Sequence, residues 1–194
     1  LLGLLAFSTI ATANKGKLNI SAGHDTSNYD AASHSTYSGF ASSSQTTQKL
    51  SKADSYSVGS EFTGNTVYLS GKDVNIEGSS VVSDVGTTIK ATNNVNIVNS
   101  TDTSTQETYY EKQKSGLMSS GGIGFTVGSK SNATTTKTVT NEVTGSTVGS
   151  LYGNTNISAG NHYTQTASTV NSPVGDVNIS AKTVDINAGY NTQV

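Results

Sequence analysis

Three histidines have the chemistry to bind a metal or relay a proton near neutral pH: His24 beside Asp25, His34, and His162 beside Tyr163. No two of them stand at a metal-ligand spacing such as i, i+4 on a helix, and solvated corner positions account for them. The carboxylates Asp73, Asp84, Asp102, Glu107 and Glu111 are scattered, and nothing in their spacing marks a pair held at acid–base distance. Cysteine is absent, which excludes disulfides and thiolate metal sites, and the glycine-rich calcium nonapeptide is absent too. The reading is a chain with no cofactor, no metal and no enzymatic role.

Two other groups carry candidate binding chemistry. Tyr29, Tyr37, Tyr56, Tyr109, Tyr110 and Tyr163 fall in or near polar stretches. There an exposed ring could stack on a sugar or a protein partner, or simply cover the outer surface of the fold. Tyr109 and Tyr110 are the candidate exposed contacts. In "GGIGFTVGSK" Ile123, Phe125 and Val127 alternate with Gly124, Thr126 and Gly128, so an extended strand would have one apolar face and one nearly bare face. Glycine is costly within a strand, and its use here suggests close approach of another backbone or a need to change shape. These three apolar residues form a candidate interaction segment: either the strand packs Phe125 on the side of the fold, or it is released toward a partner or a target membrane.

The elements that must position such residues are strands. About four residues in ten are Ser, Thr or Asn, with 12% charged, 20 Gly and one Pro. Ser, Thr and Asn compete for backbone hydrogen bonds in helix interiors, whereas the Thr, Val, Ile and Tyr content suits strands. A net charge of −2 gives no electrostatic reason to expect a nucleic-acid partner. The opening "LLGLLAFSTIATA", residues 1–13, differs in character: it is signal-like, with cleavage after Ala13, or an apolar cap over the end of a β-structure. It is shorter than the roughly 20 residues a membrane-spanning helix needs.

Repeats set the architecture. The triplet apolar–Asn–apolar occurs at Leu18-Asn19-Ile20, Val74-Asn75-Ile76, Val95-Asn96-Ile97 and Val177-Asn178-Ile179, with Thr155-Asn156-Ile157 and Val184-Asp185-Ile186 as variants. In a strand each triplet buries its two outer side chains and exposes the polar one. Val74 to Val95 is 21 residues and Ile157 to Ile179 is 22, with small corners such as "SAG", "SGK", "ATN" and "SAK" between strands. A unit of about 21 residues with short strands and tight corners fits one coil of a right-handed parallel β-helix, with Ile76, Ile97, Ile157 and Ile179 in an interior column and the asparagines forming a ladder outside. The competing β-sandwich would call for Asn-Gly or Asp-Gly turns, and neither dipeptide occurs.

A longer repeat lies over the short one. "DTSNYDAASHSTYSGFASSS" at 25–44 aligns with "DTSTQETYYEKQKSGLMSSG" at 102–121, an offset of 77, and "SVGSEFTGN" at 57–65 aligns with "TVGSLYGN" at 147–154, an offset of 90 falling to 89. The difference assigns an insert of about 13 residues, 121–133, to the second copy. The expected organisation is an apolar segment 1–13 followed by the β-helix 14–194. Its parts are module one at 15–65, coils at 66–100, a second polar excursion at 101–150 and coils at 151–190. The tract "SNATTTKTVTNEVTGST" at 131–147 is a flexible loop or a strand pair.

The run "GNTNISAGNHYTQTASTVNSPVGDVNISAKTVDINAG" at 153–189, preceded by "TGSTVGSLYGN" and "KSGLMSSGGIGFTVGSK", resembles the haemagglutinin repeat region of filamentous-haemagglutinin-like exoproteins. These are secreted by the two-partner route in Gram-negative bacteria and include the exoproteins of contact-dependent growth inhibition. The resemblance covers residues 15–194. It implies a secreted, cell-surface β-helical fibre segment used in adhesion or in presenting and delivering a toxin. It also implies partners: an outer-membrane two-partner transporter and a target-cell receptor or outer membrane. No secretion domain or toxin is apparent, which suggests a fragment or a degraded gene. A glycan- or receptor-binding module acting through the excursions is the first alternative, and a β-helical carbohydrate-active enzyme the second. Expected partners include no nucleic acid, while open coil ends favour end-to-end self-association.

Overall fold

The computed structural model describes residues 8–119 and 124–194, without the side chains of Met118, Ser119 and Phe125. Every regular element in this range is a strand. In chain order they are β1 (Ser8–Thr12), β2 (Lys17–Ser21), β3 (Gly23–Gly39), β4 (Ser42–Val58), β5 (Glu61–Gly71), β6 (Asp73–Glu77), β7 (Ser80–Ala91), β8 (Asn94–Val98), β9 (Ser100–Ser119) and β10 (Phe125–Thr144). There follow β11 (Thr147–Ser150), β12 (Asn154–Ala159), β13 (His162–Thr166), β14 (Thr169–Asn171), β15 (Val177–Ser180), β16 (Thr183–Asn187) and β17 (Thr192–Gln193). The chain divides into two compact units: residues 1–25, 56–102 and 141–191 form one, and residues 26–55, 103–140 and 192–194 the other.

The first unit consists of parallel ladders that the chain visits in rotation. One joins the first part of β5 and of β7 to β11 and β14, with Phe62 opposite Val81 and Val81 opposite Val148. A second joins β1, the later parts of β5 and β7, β12 and β15, with Leu69 opposite Ile89, Ile89 opposite Ile157 and Ile157 opposite Ile179. The third runs β2, β6, β8, β13, β16. In it Ile20, Ile76, Ile97, Gln165 and Ile186 stand in register. All three ladders send side chains into one core that includes Leu69, Ile76, Val81, Ile89, Ile97, Val148, Ile157 and Tyr163. Parallel pairing of successive passes, with short strands and small corner residues such as Ala91 and Ala159 tucked inside, is compatible with a β-helix.

The four isoleucines expected in one column occupy two. Ile76 and Ile97 belong to the third ladder, Ile157 and Ile179 to the second. The triplet falls on the third-ladder strand in one circuit and on the second-ladder strand in another, and the triplet alone does not tell the two apart. The amide ladder itself is present: Asn75 donates to Asn19 and Asn96 to Asn75, each at 2.7 Å, and on the second ladder Asn178 donates to Asn156 at 3.1 Å.

One corner explains the long repeat. Where the third ladder hands over to the first, the chain turns through Glu77-Gly78-Ser79, and again through Thr166-Ala167-Ser168, with positive φ at Gly78 (52°) and Ala167 (46°). The serine hydroxyl closes each turn onto the carbonyl two residues back, Ser79 onto Glu77 at 2.8 Å and Ser168 onto Thr166 at 2.7 Å. At the alternate corners a long segment leaves and returns, yet the same bond closes the gap: Ser60 donates to the Ser21 carbonyl at 2.8 Å and Ser146 to that of Val98 at 2.6 Å. Three of these hydroxyls also accept the backbone N–H of the counterpart one circuit earlier: Ser60 N–H donates to Ser79, Ser79 to Ser146 and Ser146 to Ser168, at 3.0–3.2 Å. Glu61 and Thr147 both stand opposite Ser80, so the returning strands are 86 residues apart. The departing strands are 77 apart, since Ile20, Ile76 and Ile97 share a column. The second segment is therefore about nine residues longer than the first, not 13. The phrase "TVGS" at 147–150 imitates "SVGS" at 57–60 without occupying its place.

The second unit is an antiparallel sheet in the order β17-β10-β9-β4-β3. The two inserted segments are thus strand pairs, and they join through β4 and β9, paired from Ser42 opposite Gly116 to Ser55 opposite Thr103. The tract at 131–147 is strand up to Thr144, not a loop.

Candidate functional site

The antiparallel sheet carries both expected tyrosine contacts, and its register separates them. Tyr109 stands opposite Lys49 and Tyr110 opposite Gln48. Neighbouring residues of a strand face opposite sides, so the two rings serve different surfaces. On the Tyr109 side, the Lys49 ammonium lies 5.8 Å from the ring centroid. The Tyr109 hydroxyl donates to Glu111 Oε2 at 2.9 Å, and Gln113 Nε2 donates to Oε1 at 2.7 Å. Ser131 of β10 reaches the same oxygen at 3.3 Å. Donation from Gln113, then Tyr109, holds the Glu111 carboxyl below its ordinary range, and the bond to Glu111 holds the Tyr109 phenol above its own. Asp30, Ala32, Ser51 and Glu107 line a shallow hollow beside this group. His34 belongs to a local network with Thr47 (3.2 Å) and Gln45 (3.0 Å), in which the Gln45 amide donates to Nε2 and leaves Nδ1 to donate to Thr47. Hydroxyls, amides, a carboxylate and a ring on one sheet face are chemistry for polar contact with a ligand surface.

The described part of the candidate segment opens β10. Ile123 and the Phe125 side chain lie outside the described residues, and Val127 is 80% exposed. A Cβ added to Gly128 would meet no atom within 4 Å, so close approach of another backbone does not account for that glycine.

The remaining candidates are structural. Tyr163, expected near the excursions, is fully buried in the core opposite Val95 and Val184. Burial pushes its phenol up to about 12. Its hydroxyl donates to Gln165 Oε1 at 2.8 Å, and Gln165 Nε2 donates to the Ser168 carbonyl at 2.7 Å. This explains a glutamine in an isoleucine column: a buried phenol needs an acceptor two residues along the same face. His162 pairs with Asp185 at 3.0 Å and with Thr183 on the adjacent strand.

Asp102 takes the Ser57 backbone N–H on Oδ1 at 2.6 Å and the Thr144 hydroxyl on Oδ2 at 3.0 Å. Ser57 donates its hydroxyl to Ser100 at 2.7 Å, and Ser100 lies 3.5 Å from His24 Nε2. The bonds from Ser57 lead in lowering the Asp102 carboxyl below its ordinary range. With both oxygens engaged by neutral donors from returning strands, this carboxylate ties chain to chain. Asn191 does the same one repeat on, accepting the Val143 N–H at 2.9 Å. Sequence reading missed this position because Asp102 and Asn191 align only once the register is known.

No family model and no solved structure matches the chain. Among curated proteins it is 35% identical over 147 residues to "tRNA nuclease CdiA-2" of Burkholderia pseudomallei (strain 1026b), covering 75% of this chain and 5% of that protein. It is 32% identical over 107 residues to "Toxin CdiA" of Yersinia pestis (55% and 3%) and 40% identical over 98 residues to "16S rRNA endonuclease CdiA" of Enterobacter cloacae (50% and 3%). The chain spans 3–5% of the length of these relatives. Their names overturn two expectations, that of no enzymatic role and that of no nucleic-acid partner. The named activities are nuclease and endonuclease, and their substrates are tRNA and 16S rRNA. Net charge and scattered carboxylates misled because a stretch this small says nothing of the chemistry held in the rest of such a protein. Over that stretch, the chain is similar to CdiA exoproteins.

Proposed function

We propose that the chain is a haemagglutinin-repeat segment of a CdiA-type exoprotein of contact-dependent growth inhibition. In this reading it forms a right-handed parallel β-helix within a secreted, cell-surface fibre of a Gram-negative bacterium. The whole protein leaves the cell through a two-partner outer-membrane transporter, meets a receptor or outer membrane on a neighbour, and delivers a nuclease acting on tRNA or rRNA. The observation that carries the reading is the likeness to a CdiA protein over 147 residues, 75% of the chain. Within it, Ile123, Phe125 and Val127 form a conditional interaction segment used in delivery.

The test is removal of residues 121–133 in the full-length exoprotein. Secretion and target-cell binding are expected to persist while killing of target cells in co-culture falls to background. Unchanged killing would defeat the role of that segment. Unchanged killing on removal of the whole 194-residue stretch would defeat the reading itself. A second reading, a glycan-binding face on the sheet, is favoured by the Tyr109, Glu111 and Gln113 group. It predicts glycan-array binding that Tyr109→Ala abolishes.

A further inference from the structure

We propose that the corner where the second ladder hands over to the third is a docking surface for a lipid bilayer bearing anionic phosphate head groups. The unit of parallel ladders contains five lysines: Lys15, Lys17, Lys72, Lys90 and Lys182. All five lie at this one corner or within three residues of it, and backbone bonds from circuit to circuit fix how they stack. The Lys72 N–H donates to the Gly16 carbonyl, that of Asn93 to Lys72, that of Asn161 to Asn93 and that of Lys182 to Asn161, at 2.8–3.0 Å. Gly16, Lys72, Asn93, Asn161 and Lys182 therefore form one column, with Lys15 and Lys17 flanking its first member. Lys90 belongs to the adjoining outward column of Ser70, Ser158 and Ser180. Each of the five lysines is exposed. At roughly 4.8 Å per circuit the row spans about 19 Å.

The carboxylates of this unit are kept elsewhere. Glu61 and Glu77 stand where the third ladder hands over to the first, and Asp84 and Asp176 where the first hands over to the second. Asp25, Asp102 and Glu142 lie where the long segments leave and return. The two acids near the lysines are already engaged. Asp73 is buried, its Oδ1 accepting the Asn93 amide at 2.7 Å and the Asn94 N–H at 3.2 Å, and Asp185 pairs with His162 at 3.0 Å. A chain of net charge −2 thus presents one strip of positive potential.

The make-up of the strip selects its partner. The positions that share its two columns are glycine, asparagine and serine, so no ring stands among the lysines for a base or a sugar to stack on. Lysine is a compact charge on a flexible stem, without the fork by which arginine grips a single phosphate. Such a strip reads an array of charges rather than one group. A bilayer surface supplies that array, and each lysine near it is worth roughly fivefold in affinity. The proposal needs neither the delivery role nor the tyrosine group of the antiparallel sheet.

The test is co-sedimentation of the purified 194-residue chain with vesicles, one set of phosphatidylcholine alone and one of phosphatidylcholine and phosphatidylglycerol in equal amounts. Binding is expected to the second set only, and it should fall steeply between low salt and about 0.15 M as the Debye length shortens. Lys72→Gln with Lys182→Gln should weaken it by roughly 25-fold, two lysines' worth, and Lys15→Gln with Lys17→Gln should do the same. Lys72→Arg with Lys182→Arg should retain binding, because it keeps the charge. Lys114→Gln with Lys130→Gln removes equal charge from the antiparallel sheet and should leave binding unchanged. Circular dichroism verifies that each variant is folded. Binding to neither set overturns the proposal, as does equal binding to both. So does equal weakening by the sheet variant, which would mean attraction by charge at large, or a loss in the arginine variant, which would mean a structural role. Retention on heparin without vesicle binding would likewise overturn it, by marking a linear polyanion as the ligand.

Discussion

A carboxylate and an amide perform one task at equivalent places. Asp102 and Asn191 each accept a backbone N–H from a returning strand, and only Asp102 brings a charge. Because its folded pKa is depressed, the charge stabilises the fold fully above the ordinary carboxylate value and that contribution is lost as pH falls through the lowered one. Asp102→Asn should therefore keep neutral-pH stability within about 1 kcal/mol and flatten the loss below pH 4, while Asp102→Ala should cost about 1–2 kcal/mol by leaving a backbone N–H unpaired. Urea titrations at pH 7 and pH 3.5 check both. Tyr163 and Gln165 form a second coupled pair. Gln165→Leu should cost about 1–3 kcal/mol by stranding the phenol, and much of this should return in the double variant with Tyr163→Phe. A double-mutant cycle by thermal unfolding reads the coupling.

At the scale of elements, the apolar–Asn–apolar triplets made inward and outward faces legible. Ile76 and Ile97 are fully buried, and Asn75 and Asn96 bond outside the core. Ile97→Asp should cost several kcal/mol through an unpaired buried charge. Asn96→Asp should cost about 1 kcal/mol, since it loses the amide that donates to Asn75 and sets a carboxylate against that acceptor. Equal midpoint shifts in denaturant would refute the assigned facing. Which ladder each triplet joins was not legible, because the triplet falls on one strand of the circuit at Asn75 and Asn96 and on the other at Asn156 and Asn178. Nor was the pairing of β4 with β9. Strand pairing is read from alternation between a buried and a solvated face, and β3 is exposed along nearly its whole length. The same gap hid Tyr163: a tyrosine between polar neighbours reads as surface until the column of Val95 and Val184 claims it.

For the whole molecule, the corners make a strong prediction. Excising residues 22–58 joins Ser21 to Gly59-Ser60, and excising 99–144 joins Val98 to Gly145-Ser146; each junction reproduces Glu77-Gly78-Ser79. A Cβ on Gly145 would meet the Ala167 carbonyl at 2.0 Å, so the position requires glycine, which the junction retains. The doubly excised chain should keep its strand signature by circular dichroism and unfold in one cooperative transition. Loss of that transition would mean that the parallel ladders depend on the antiparallel sheet.

The serine that closes each corner does so whether its partner carbonyl is two residues back or at the far side of a long strand pair. Segment length is thereby uncoupled from ladder register, and a gene of this kind can gain or shed whole decorations without a frame penalty in the scaffold. Gly78 and Ala167 are in that sense vacant sockets. A foreign hairpin spliced there should leave the parallel ladders in register, which makes these corners places where evolution, or an engineer, can add a strand pair while leaving the scaffold untouched.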